Sequence, residues 1–174
     1  MLSAKYVQYI HDNLVMVMWP DSGQVGSGGC RDVNLLESAV ARPFQSAFGE
    51  DAYPTILDKA VALFHSLNSN HPFHDGNKRT AIIALDDFLV ANGYLQDLSS
   101  EEIYKLAMRT ASYKERGISH EGSLLEIAEA LSDVLIPLAA LRKETASDPG
   151  LRQMYKDCMK VRLHVRRHPL NHLV

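Results

Sequence analysis

The sequence predicts an all-α fold, a bundle of about six helices, and three observations carry that expectation. Apolar residues recur at three- and four-residue spacing in one segment after another, and no stretch alternates convincingly as a half-buried strand would. The segments are bounded by residues that start and stop helices: Thr55, Ser99 and Asp148 ahead of apolar runs, and Pro20, Pro43 and the pair Asn92-Gly93 behind them. The chain has 174 residues, 46% of them hydrophobic, which is enough for one buried core.

In chain order, Ser3 to about Val17 reads as a helix with Val7, Ile10 and Leu14 on one face, ending before Trp19-Pro20. Asp21 to Gly29 holds four of the ten glycines and reads as a flexible loop, a flap over a site, with room for a short hairpin around residues 20 to 30. Asn34 to Ala41 is a short helix stopped by Pro43. Thr55, with Asp58 three residues on, is a capping pattern for a helix whose buried stripe is Ile56, Ala60, Phe64 and Leu67. His65 lies beside that stripe and reads as a core or boundary histidine. From Lys78 to Val90, Ile82, Ile83, Leu85, Phe88 and Leu89 give a helix buried on most sides, stopped by Asn92-Gly93. Ser99-Ser100-Glu101-Glu102 is a capping box for a helix to about Ser112. Gly117 to Gly122 reads as a loop, Ser123 to Ile136 as a helix with Pro137 as its break, and Asp148-Pro149 as the start of a last helix through about Arg167.

Composition narrows the class. Mean hydropathy is -0.15, and no apolar run approaches eighteen residues, so no membrane span is expected. The first residues lack a basic segment followed by a long apolar one, so no secretory signal is expected. Cys30 and Cys158 lie too far apart to read as a disulfide framework or a metal knuckle, which points to a reducing cytoplasm. Residues 1–140 carry ten Lys and Arg against eighteen Asp and Glu, whereas residues 141–174 carry eight against three. The division drawn from this is an acidic catalytic domain, 1–140, and a basic helical extension, 141–174. Arg152, Lys156 and Lys160 share one face of that extension, read first as a solvated face and second as a partner contact. Nucleic acid ranks last, because aromatic residues are few there and the whole chain has a net charge of -3.

The chemistry is concentrated in His71-Pro72-Phe73-His74-Asp75-Gly76-Asn77-Lys78-Arg79-Thr80, between two helical segments. Because proline disfavours the α region in the residue before it, His71 is expected just off a helix on an extended corner. Phe73 is the one bulky apolar group and the expected anchor. Asp75, Gly76 and Asn77 are turn and cap formers, so unpaired backbone N–H groups should open where Lys78 and Arg79 begin. A helix start with free donors and two cations is an anion site, most naturally for phosphate. Asp75 beside a polyphosphate would hold magnesium, and His71 is the nearby group suited to take a proton from an attacking hydroxyl. Singly, each of these residues is more often structural; a ten-residue combination is not. Zinc binding by His65, His71, His74 and Asp75 does not match a zinc-helix spacing.

This motif, His71-Pro72-Phe73-His74-Asp75-Gly76-Asn77-Lys78-Arg79, resembles the central motif of the Fic/Doc family, H-x-F-x-[D/E]-G-N-[G/K]-R. Gly28-Gly29-Cys30-Arg31-Asp32, Leu35-Leu36-Glu37-Ser38-Ala39, Ala41-Arg42-Pro43 and Tyr53-Pro54-Thr55 extend the resemblance over roughly residues 1–135. Lys78, where AMP-transferring members have glycine, is similar to the Doc branch, the death-on-curing toxins, whereas Pro72 and Gly76 are shared with the Fic side. The resemblance implies a helical bundle and a transferase using ATP and magnesium. On the Doc side it implies a toxin kinase moving the terminal phosphate of ATP to a threonine of elongation factor Tu. The Fic alternative is AMP transfer to a target protein, and a third reading is a non-catalytic phosphate- or protein-binding module. In the Doc reading His71 is the base, Asp75 holds magnesium, and Gly76, Asn77, Lys78 and Arg79 hold the phosphates. Many Fic proteins use an inhibitory helix [S/T]-x-x-x-E-[G/N]; the nearest match, Ser46 to Glu50, is followed by Asp51 in an apparent loop. Inhibition is therefore expected from a separate antitoxin resembling the Phd partner of Doc.

Overall fold

A computed structural model describes residues 1–15, 29–144 and 148–171. Two helices form the centre. α3 (Ile56–Asn70) and α4 (Asn77–Asn92) follow one another, and the reactive stretch is the turn between them. Ala60 to Asn68 of α3 are buried, as are Ala81, Ala84, Leu85, Phe88 and Leu89 of α4. A helix hydrophobic on most sides must be surrounded, and these two are. α1 (Ala4–Tyr9) and α2 (Val33–Ala41) precede them; α5 (Ser100–Ala111), α6 (His120–Ser132), α7 (Leu138–Glu144) and α8 (Pro149–Arg167) come after. α3 packs on α2, α5 and α6, while α4 packs on α5 and α8.

The starts predicted from capping residues are built as capping geometry requires. Thr55 Oγ1 accepts the Asp58 N–H at 3.0 Å while Asp58 accepts the Thr55 N–H at 3.0 Å, a reciprocal box. Ser99 and Glu102 repeat it on α5, and Asp148 accepts from the Gly150 and Leu151 N–H groups ahead of Pro149. Gly93, at φ 91°, closes α4 in the left-handed conformation that only glycine adopts cheaply.

Three features differ from the expectation, and one expectation lies mostly outside the described residues. α1 continues into a wider, π-type turn over Ile10–Val15. The hairpin expected near residues 20 to 30 falls largely on residues outside those described. A described hairpin lies elsewhere: β1 (Ser46–Ala47) pairs antiparallel with β2 (Glu50–Asp51) around Phe48 and Gly49 at φ 54° and 87°. Two-residue strands are too short to show alternation, which is why none was legible; the Ser46–Glu50 match to an inhibitory helix is thus extended, not helical. Finally, α6 runs from His120 to Ser132 rather than from Ser123 to Ile136. Ser119 caps it through the Gly122 N–H at 3.0 Å, and Leu135–Pro137 leaves the helix as β4, pairing with β3 (Tyr94–Gln96). An apolar run such as Val134-Leu135-Ile136 suits either state, and the pairing of Ile136 with Leu95 settles it.

The basic extension shares the core. Val165 of α8 is 2% exposed within it, and Asn171 accepts the Ser3 N–H at 3.0 Å while donating to the Val165 carbonyl at 2.8 Å. Among the described residues no helix is long and apolar enough to cross a membrane.

Candidate functional site

The site is built on one interruption between two buried helices. His71 ends α3 at φ 48°, ψ 57°. This corrects the extended corner expected from Pro72: the residue is left-handed, a C-cap geometry that costs a non-glycine residue on the order of 1 kcal/mol and is held by the contacts of Pro72 and Phe73. The Pro72 carbonyl accepts the backbone N–H groups of Arg31 at 2.7 Å and Asp32 at 3.2 Å, with Cys30 Sγ at 3.3 Å. Phe73 then pairs by a backbone bridge with Cys30 and buries its ring to 1% exposure, as an anchor must.

Asn77 fixes the other end. Its Oδ1 accepts the Phe73 N–H at 2.9 Å and its Nδ2 donates to the Phe73 carbonyl at 2.8 Å. The side chain is therefore a brace for the loop, and what Asn77 offers a ligand is its backbone N–H. Gly76, at φ 70°, is the N-cap of α4 and supplies no side-chain cap. The first N–H groups of a helix have no partner inside it, and here the N-cap residue offers them no side-chain bond. Asp75 Oδ1 accepts the Gly76 N–H at 2.6 Å.

His71, Asp75, Gly76, Asn77, Lys78 and Arg79 line one hollow of about 220 Å³, completed by His74 and by Tyr104 from α5. The imidazole and the α4 start thus face a common space, rimmed by two cations and an exposed carboxylate. Burial, then Lys78 and Arg31, hold the His71 imidazole below the ordinary histidine value, and Glu115 opposes them. A depressed value keeps the ring neutral and able to accept a proton at neutral pH. Among the described residues no three His, Cys, Asp or Glu side chains converge on a metal position. A cation here would have Asp75 as its protein ligand and need its other oxygens from a ligand, which suits magnesium beside a phosphate.

His65 is not part of this hollow. It is 2% exposed, with Nδ1 3.4 Å from Ser69 Oγ and its ring edge-on to His120 at 4.6 Å, and burial foremost lowers it to about 4. It is a core histidine rather than a ligand, as expected, but not the fully satisfied one expected, since its buried Nε2 has no hydrogen-bond partner among the described residues. Two contributors were not singled out from the sequence. Tyr104 reaches the hollow from a helix 25 residues beyond Arg79. His11, 2% exposed, stacks on Phe73 with ring centres 4.1 Å apart and planes 3° apart. Its Nδ1 lies 2.7 Å from Asp12 Oδ1 and its Nε2 3.2 Å from the Asp75 carbonyl. The only local signal was a histidine directly after Ile10 on the buried stripe of the first helix.

No solved structure matches the chain. A protein named Toxin Doc, from Mycolicibacterium smegmatis (strain ATCC 700084 / mc(2)155), is 51% identical over 75 residues, 41% of this chain and 58% of that protein. The chain thus matches little more than half the length of that relative. The Fic/DOC family model matches residues 1–89, a span that holds His11, the Cys30–Asp32 support and the whole reactive turn. With that match over half its length, the chain belongs to the Fic/DOC family.

Proposed function

We propose that this protein is the toxin of a toxin–antitoxin pair and transfers the γ-phosphate of ATP to a hydroxyl group of a translation factor resembling elongation factor Tu. The observation that carries the reading is the shared hollow: His71 on one side, the α4 start with Lys78 and Arg79 on the other. The family and the Toxin Doc likeness support a toxin role.

In this reading the backbone N–H groups at Asn77 and Lys78, with the two cations, hold the phosphate chain and oppose its charge, the largest contribution positioned groups make to phosphoryl transfer. Asp75, with Oδ1 fixed by Gly76, holds magnesium, which would screen the phosphate oxygens. His71 accepts the proton of the acceptor hydroxyl as that oxygen bonds to phosphorus and the bond to the ADP oxygen breaks. Lys78 favours γ-phosphate over AMP transfer, since its bulk and charge occupy the place where a glycine would leave a second concavity for phosphate. A Phd-like antitoxin acting in trans supplies inhibition, and the cytoplasm is the place of action.

ATP labelled at the α or the γ position separates the readings. Label from the γ position should reach the target protein, and His71→Ala should reduce that transfer by on the order of a hundredfold or more. Label arriving from the α position would replace this reading with AMP transfer. A biological effect that survives His71→Ala would leave a binding module.

A further inference from the structure

We propose that His11 is a positioning residue for the reactive turn, holding the Asp75–Gly76 peptide plane so that its carbonyl points away from the anion hollow. The inference rests on the phosphate-handling role proposed above. The plane is tied at both edges. His11 Nε2 donates to the Asp75 carbonyl at 3.2 Å, and Asp75 Oδ1 accepts the Gly76 N–H at 2.6 Å.

The tie matters because the next residue is glycine. Gly76 sits at φ 70°, yet glycine adopts positive and negative φ about equally well, so an unheld plane before it can turn over at little cost. His11 is buried and does not line the hollow, so a carbonyl bound to it faces inward. Turned over, the plane would aim that oxygen's negative dipole outward at the space reserved for an anion, and it would release the Asp75 carboxylate from the Gly76 N–H.

His11 is itself held on three sides. Its ring is stacked on Phe73, Asp12 fixes Nδ1, and the π-type turn over Ile10–Val15 carries both residues. Such widened turns often mark functional positions in helices. Packing against Phe73 alone would be served as well by an apolar ring. A buried ring is costly unless its nitrogens are paired; both face oxygen acceptors, the Asp12 carboxylate and the Asp75 carbonyl, so both are paired when the ring carries two N–H groups and forms an ion pair with Asp12.

Three variants separate position from packing. His11→Phe keeps the stack and removes both polar contacts; His11→Gln restores a donor without the ring; Asp12→Asn, at a half-exposed site, loosens the ring while leaving it in place. With His11→Phe, kcat/KM for phosphate transfer should fall roughly ten- to a hundredfold. The Gly76 amide should exchange with solvent about tenfold faster, while the melting temperature moves by only a few degrees. His11→Gln should recover part of the rate, and Asp12→Asn should lose only a few-fold. Unchanged transfer and unchanged Gly76 exchange in His11→Phe would overturn the proposal, as would losses that follow melting temperature in all three. Should the parent protein transfer no phosphate at all, the functional reading fails by itself, and Gly76 exchange still decides the role of His11.

Discussion

His71 illustrates how a single side chain is tuned by its surroundings. Burial and the charges of Lys78 and Arg31 lower its proton affinity, and the exposed carboxylate of Glu115 raises it. A base works only when unprotonated, so activity should be lost as pH falls through the folded-state value, which lies below the ordinary 6.5. Glu115→Gln removes the one opposing charge and should move the acid limb of the kcat/KM profile lower still. A limb at or above 6.5, or one that rises in the variant, would deny His71 the role of base. His71, Asp75, Lys78 and Arg79 were legible because they are neighbours in sequence and their chemistry follows from their types. His11 and Tyr104 were not, since each reaches the turn only through the packing of another helix. Asn77 lies between: its position was legible, but its use as a brace depends on the Phe73 backbone being within 3 Å.

At the scale of elements, α3 governs where His71 ends up. Its start is fixed by the Thr55–Asp58 box and its other end by the left-handed turn at His71. Thr55→Ala should cost about 1 kcal/mol in chemical denaturation while leaving kcat nearly unchanged, because the cap lies a full helix length from the hollow. A large loss of kcat at constant stability would mean that α3 transmits its register to the site. Capping residues made the helix starts at Thr55, Ser99 and Asp148 readable to within a residue or so, whereas α6, capped by Ser119, begins three residues before the expected Ser123. Helix ends without glycine were harder. Nothing local to Val134-Leu135-Ile136 announces that β3, some forty residues earlier, will pair with it. The corner at His71 was misread for a related reason: a rule about the residue before proline describes an average chain, and here the Arg31 and Asp32 N–H groups fix the Pro72 carbonyl.

For the whole molecule, the charge division in sequence does not separate two packing units. α8 turns Val165 into the common core and leaves Arg152, Lys156, Lys160 and Arg167 on its exposed side. Removing residues 148–174 should therefore destabilise the protein by at least about 4 kcal/mol, roughly 8–16 °C in melting temperature. Reversing charge with Lys156→Glu and Lys160→Glu should change stability by no more than about 0.5 kcal/mol. A truncated chain that melts like the parent would show the helix to be dispensable for folding.

The stitch between Ser3 and Asn171 closes a ring of 168 intervening peptide steps. A dye placed at each of these positions would glow as a touching pair in the native protein and drift many tens of ångströms apart once the chain lets go. Such a pair would show in real time whether a ligand in the His71 hollow also steadies the contact between Ser3 and Asn171.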